Sequence, residues 1–141
     1  MELSQFSDYS LRVLIYLAVQ DGDELVAVKD IAESYGISQN HLVKVVHNLA
    51  KLGYVKTYRG RGGGIALAKE LEKIGIGELV RKTENLGIVE CFPGRQGQCC
   101  LAGICELQVV LGKAADAFLA ELDQVTLADL VRQKSKLAAR L

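Results

Sequence analysis

The side chains best suited to chemistry in this 141-residue chain are its four cysteines, Cys91, Cys99, Cys100 and Cys105. The stretch that holds them, CFPGRQGQCCLAGIC, also contains the only proline and several glycines. It therefore reads as a loop and not as part of a core. Four uses of these thiols stand open. Soft thiolates on an irregular loop suit an iron–sulfur cluster. A structural zinc site uses paired CxxC-type spacing, which the loop lacks. A thiol redox switch needs only two of the four. Reduced cysteines with no task are the remaining reading.

A second set of chemically useful residues emerges from the charges. The chain carries 17 Lys and Arg against 17 Asp and Glu, a formal net charge of +0. The balance is segregated: residues 1–33 hold seven acids and two bases, residues 34–69 hold six bases and no acid, and residues 70–141 hold ten acids and nine bases. The six bases are Lys44, Lys51, Lys56, Arg59, Arg61 and Lys69. A long acid-free stretch in a neutral protein is a footprint for phosphate, or else a solvated basic face with no partner.

The elements around those bases give them a geometry. VKDIAESY at 28–35 reads as a short helix, broken by Gly36-Ile37-Ser38. Ser38 suits the N-cap of a second helix at 39–52. There Leu42, Val45, Val46, Leu49 and Leu52 recur at the spacing of one buried face, while Asn40, His41, Lys44, Asn48 and Lys51 take the other. This is a helix-turn-helix pattern. His41 and His47, six apart, do not share a face, so they are not a metal pair. His41 reads as a contact to DNA or solvent and His47 as partly buried. Tyr54, Val55 and Tyr58, then Ile65-Ala66-Leu67, suit two strands joined by a glycine-rich tip carrying Arg59 and Arg61. That makes a wing (54–68) able to approach a duplex closely, with an arginine for the minor groove. The glycine run lacks the GxxxxGK[ST] pattern and opens no helix, which argues against a phosphate loop for a nucleotide.

Outside this block, SDYSLRVLIYLAV at 7–19 is a strongly apolar helix, with Ser7 or Asp8 as its cap. Asp8 and Arg12 have the spacing of a helical ion pair. A short helix follows at 75–83, and a long amphipathic one at about 104–122. Leu107, Val110, Leu111, Ala114, Phe118 and Leu122 line one face of the latter. Such a stripe needs cover, from a second copy of the same helix, from its own domain, or from both. Thr126 caps a last helix.

The expected fold is thus mainly α with a small β-wing: a winged helix-turn-helix at 1–85, a cysteine-rich loop at 86–104, and dimerisation and C-terminal helices at 105–141. Half the residues are hydrophobic and 24% charged, ordinary for a globular domain. No apolar run is long enough to span a bilayer, and the N-terminus has no secretory signature, so a cytoplasmic protein with no membrane partner is expected. No Ser/His/Asp arrangement, metal-hydrolase motif or cofactor fingerprint points to an enzyme.

FSDYSLRVLIYLA, ISQNHLVKVVHNLAKLGYV, RGRGGGIAL, the Cys91–Cys99–Cys105 loop and TLADLV together resemble the iron–sulfur winged-helix repressors, over essentially the whole chain. Asp8 in SDYSLR, the NHLVKVVHNL helix and LDQVTLADLV look most like the nitric-oxide-sensing branch. Another branch carries a histidine ligand just after the third cysteine, where this chain has Glu106-Leu107-Gln108. The wide spacing from Cys91 to Cys99 is shared with an iron-responsive branch. The resemblance implies a homodimer on a double-stranded DNA operator, with nitric oxide as signal. It implies an iron–sulfur cluster, 4Fe–4S rather than 2Fe–2S, held by Cys91, Cys99 and Cys105. Cys99 is taken over Cys100 because it keeps the family's spacing to the last cysteine. Asp8 of the partner subunit would supply a fourth, oxygen ligand. Ser38, Gln39, Asn40, His41 and Lys44 would enter the groove, with Arg59 and Arg61 in the wing.

Overall fold

The computed structural model describes residues 2–20, 24–89, 91–92 and 99–141. The first helix, α1 (Gln5–Val19), starts two residues earlier than its apolar pattern suggested. Its cap is Ser4, whose hydroxyl oxygen accepts the Ser7 N–H at 3.3 Å. Neither Ser7 nor Asp8 caps it. Ser7 is fully buried in the first turn and donates its hydroxyl to Thr83 Oγ1 at 2.9 Å. Beside it, the Ser4 N–H and hydroxyl donate to Glu84 Oε2 at 2.9 and 3.0 Å.

The helix-turn-helix follows as α2 (Val28–Tyr35) and α3 (Gln39–Lys51). Gly36 ends α2 at φ 63°, a left-handed position that suits glycine. The Ile37 N–H reaches back to the Ala32 carbonyl at 2.9 Å. Ser38 takes the N-cap place of α3 by its backbone alone, with no side-chain cap bond. Leu42, Val45, Val46 and Leu49 are buried, and Leu52 falls just past the helix end.

The wing is an antiparallel pair, β1 (Val55–Tyr58) and β2 (Gly64–Leu67), registered Val55↔Leu67 through Tyr58↔Gly64. Tyr54 lies outside the strand and is fully buried. A further rung comes from Val26, which pairs with Ile65 through bonds of 3.0 and 2.8 Å.

After a 3-10 turn at Leu71–Lys73 come α4 (Ile76–Thr83), α5 (Glu106–Asp123), α6 (Leu127–Leu130) and α7 (Lys134–Ala138). The end of the chain returns to the core. Ile76 N–H donates to Val125 O, and Leu127 N–H to Ile74 O, both at 2.9 Å. Leu127 and Val131 join Val13, Leu14, Ile31, Leu42, Leu49 and Leu79 in one buried cluster. Each such leucine contributes about 2 kcal/mol by burial. The Thr126 N–H and hydroxyl both donate to Asp129 Oδ2, at 2.9 and 2.8 Å, as a capping pair for α6. These bonds, first that from the Thr126 backbone, hold the Asp129 carboxyl down to a pKa of about 2. In α7, Lys134 donates its ammonium to the Gln20 carbonyl at the end of α1.

The inward register of α5 is marked by Leu119, its only buried residue among those described. The expected stripe is mostly open: Leu107 is 61% exposed and Val110 59%, while Leu111 and Leu122 are half-buried. At the far end of α5, Arg81 forks onto Asp123 at 2.5 and 2.7 Å. Gly77 lies against that carboxylate so closely that an added Cβ would stand 2.0 Å from Asp123 Oδ1.

Candidate nucleic-acid interface and metal centre

The buried leucine–valine face of α3 fixes which side chains point outward. Ser38, Gln39, Asn40, His41 and Lys44 are all exposed. So is His47, against the expectation of partial burial: it lies one position past the buried Val46, on the outer side. Val43 is also outward and 50% exposed. In the wing, Arg59 and Arg61 are exposed at the tip. The turn between the strands needs left-handed backbone at Gly60 (φ 98°) and Gly62 (φ 77°). At Gly63 an added Cβ would come within 2.3 Å of the Tyr58 carbonyl oxygen, so only glycine closes the turn.

Among the described residues, none of the six bases of the acid-free block is in an ion pair. Lys69 instead stands over the Tyr54 ring at 4.6 Å. By contrast Arg12, Lys29, Lys73, Arg81, Lys82 and Arg132 each have a carboxylate. Cations without carboxylates on a groove-sized helix and a wing are suited to phosphate.

Behind α3 lies α1, and the contact is specific. Asp8 is 42% exposed and pairs with Arg12 at 2.8 Å. That hydrogen bond raises the Arg12 pKa above its ordinary value. The guanidinium stands 6.0 Å from the Tyr9 ring and 5.6 Å from the Tyr35 ring. The Tyr35 hydroxyl, at the end of α2, donates to the Arg12 carbonyl at 3.2 Å. Tyr9 in turn meets the His41 ring of α3 at 6.5 Å. Tyr9, Arg12 and Tyr35 thus connect Asp8 to both helices of the helix-turn-helix. The i,i+4 spacing announced only the Asp8–Arg12 part.

The cysteines are all free thiols: Cys91, Cys99 and Cys105 are half-buried and Cys100 is exposed. Residues 90 and 93–98 of the loop lie outside the described residues. Cys105 takes the N-cap place of α5. One turn on, Gln108 donates its side-chain N–H to the Cys91 carbonyl at 2.9 Å, tying the first cysteine to the last. Three thiols in or beside one loop and a carboxylate on α1 are a fitting donor set for iron. Among the described residues of a single chain, however, no three His, Cys, Asp or Glu side chains stand together as a metal site.

A helix-turn-helix with an adjoining glycine-tipped wing and a face of unpaired cations defines a winged-helix DNA-binding protein. Comparison with known proteins narrows this. Residues 3–133 match the family model described as "Rrf2: Iron-dependent Transcriptional regulator", and the chain belongs to the Rrf2 family. It is 55% identical over 132 residues to the HTH-type transcriptional regulator NsrR of Bacillus licheniformis, covering 93% of this chain and 92% of that one. It is 53% identical over 135 residues to NsrR of Bacillus subtilis, covering 95% and 92%. Among solved structures, T. potens IscR superposes with a TM-score of 0.75 at 28% identity, covering 94% of this chain and 88% of that one. The protein is a DNA-binding transcriptional regulator, and its relatives are named as regulators, not enzymes. No helix among the described residues is long and apolar enough to cross a membrane.

Proposed function

We propose that the protein is a cytoplasmic, homodimeric repressor that senses nitric oxide through an iron–sulfur cluster of the 4Fe–4S type. Its ligands would be Cys91, Cys99 and Cys105 with Asp8 of the second subunit. When bound, the cluster supplies iron that reacts with nitric oxide. One observation carries the reading: the helix that bears Asp8 also bears Tyr9 and Arg12, which touch α3 and α2.

The chain's own part is to make the position of α1 depend on what Asp8 binds. Arg12 competes for the Asp8 carboxylate. An Asp8 drawn onto Arg12 and an Asp8 drawn away from it set Arg12 differently between Tyr9 and Tyr35, and Tyr9 packs on His41. A signal changes operator affinity only if the two arrangements differ in their affinity for DNA. The open Leu107–Val110 stripe of α5 is the surface for the second copy. Two α3 helices would then meet successive major-groove faces about 34–36 Å apart. Ser38, Gln39, Asn40, His41 and Lys44 would face base edges and phosphate, and Arg59 and Arg61 the minor groove.

The test is anaerobic purification, then visible absorption, circular dichroism and operator binding through one nitric oxide titration. The expected result is a coloured protein whose absorption and DNA binding decline together. A colourless protein, prepared without oxygen, overturns the cluster. Asp8→Ala should alter the cluster spectrum and the nitric oxide response; an unchanged spectrum and response remove Asp8 as ligand. A second reading, an iron-responsive regulator, is favoured by the description of the matching family model as iron-dependent. It predicts a coloured protein indifferent to nitric oxide whose DNA binding follows iron depletion.

A further inference from the structure

We propose that Val43 is a specificity-determining residue whose side chain covers the C5-methyl of a thymine in each operator half-site. The proposal rests on the reading of α3 as the helix that enters the major groove. Single exposed apolar residues are common on protein surfaces, so exposure alone says little. Position says more. The outward ridge of α3 runs Asn40, Val43, His47, Lys51, all exposed and spaced at helical intervals. Val43 is the one apolar side chain on it, 50% exposed and flanked by Lys44.

Nothing in the fold asks for valine there. The packing face of α3 is already filled by Leu42, Val45, Val46 and Leu49. A β-branched residue at an exposed helical site is a poorer helix former than alanine or lysine. Across residues 34–69 the only other large exposed apolar residue is Tyr58, in the wing. The major groove offers one apolar feature for a helix ridge to cover, the thymine methyl. Asn40 and Val43 are about 4.5 Å apart along the helix axis, between one and two base-pair steps of about 3.4 Å. An amide that pairs with adenine N6 and N7 beside an aliphatic group on a methyl would read adjacent A·T pairs.

The experiment first selects the preferred duplex from a random library with the full-length protein prepared anaerobically. Each thymine of that duplex is then replaced by uracil, which removes the methyl and nothing else. Burial of one methyl at ~0.8 kcal/mol converts to about a fourfold loss per half-site, and about fifteenfold when both symmetric positions change. The proposal expects one symmetric thymine position to show this loss. In Val43→Ala, a variant of an exposed residue that leaves the core untouched, the loss at that position falls below about twofold. An equal loss in Val43→Ala and the parent protein overturns the proposal, as does a duplex with no methyl-sensitive thymine. Asn40→Ala separates the two levels. If it changes the selected sequence while Val43→Ala alters nothing, α3 still reads the groove and only Val43 is misassigned. If neither variant changes the selected sequence, the reading of α3 falls, and this proposal with it.

Discussion

The face made by α3 and the wing and the segment from Cys91 through α5 treat their apolar residues in opposite ways. On α3, four of the five residues of the expected apolar face are buried, and what remains outside is almost entirely polar and cationic. From Leu101 to Phe118 the large apolar residues other than the half-buried Leu111 stay outside: Ile104 is 80% exposed, and Leu107, Val109 and Val110 are each at least half exposed. The thiols in the same region are half-buried or exposed. The first region is finished within one chain. The second leaves its thiols half-buried or exposed and most of its apolar stripe open to solvent. The two regions of the same 141 residues thus differ in how far one chain covers its own apolar surface.

The contrast can be broken most severely at the thiols. Replacing Cys91, Cys99 or Cys105 by Ser should remove the visible absorption of the anaerobic protein, while its far-UV circular dichroism and cooperative unfolding persist. Cys100→Ser should keep the colour. Loss of folding in the three variants would show that the two regions are not separable.

Next comes the stripe. Leu107→Glu with Val110→Glu should yield a monomer by sedimentation velocity and weaken operator binding by roughly a hundredfold, the scale of lost bivalency. A dimer that survives both charges would place the subunit contact elsewhere.

A smaller effect sharpens the first region. Arg61→Ala should weaken operator binding by about tenfold at moderate salt and reduce the salt slope by about one. Unchanged affinity at low and moderate salt would remove the wing from the interface.

The smallest effect concerns the capping pair of α6. Asp129 sits at about 2, below its ordinary value. Its stabilising contribution is therefore complete above the unfolded-state pKa of about 3.9 and is lost as pH falls toward about 2. Asp129→Asn should flatten the acid limb of thermal stability between those values. An acid limb identical to the parent's would show that the Thr126 bonds do not govern it.

The helix-turn-helix and wing were legible because their main positions obey local rules: a 3.6-residue period in α3, a glycine at the left-handed Gly36, and glycines where the wing tip closes. What escaped depends on distant neighbours. Ser4 rather than Ser7 caps α1 because Ser7 is needed against Thr83. Val26 adds a rung through a single residue, too short to carry a period. His47 is exposed because the boundary of the buried face falls beside Val46. Leu119, not Leu107, marks the inner register of α5, since a helix with apolar residues on several sides does not declare which side its own domain takes. The Tyr9–His41 and Arg12–Tyr35 contacts join segments far apart in the chain, which no spacing rule reports. Residue type alone singled out the four cysteines, and the choice of Cys91, Cys99 and Cys105 among them rests on the family resemblance and its spacing.

The ladder between residues 74–76 and 125–127 bears on the order in which the molecule can be made. The core of α1 is closed by Leu127 and Val131, which leave the ribosome more than a hundred residues later. The buried cluster behind the DNA-reading surface is therefore completed only after translation has run through the cysteine loop. By the time α1 settles, the thiols and α5 have already emerged. A chain that stops short of Leu127 therefore lacks part of the buried cluster on which α1 rests, so the first helix depends for its full packing on the last residues to be made.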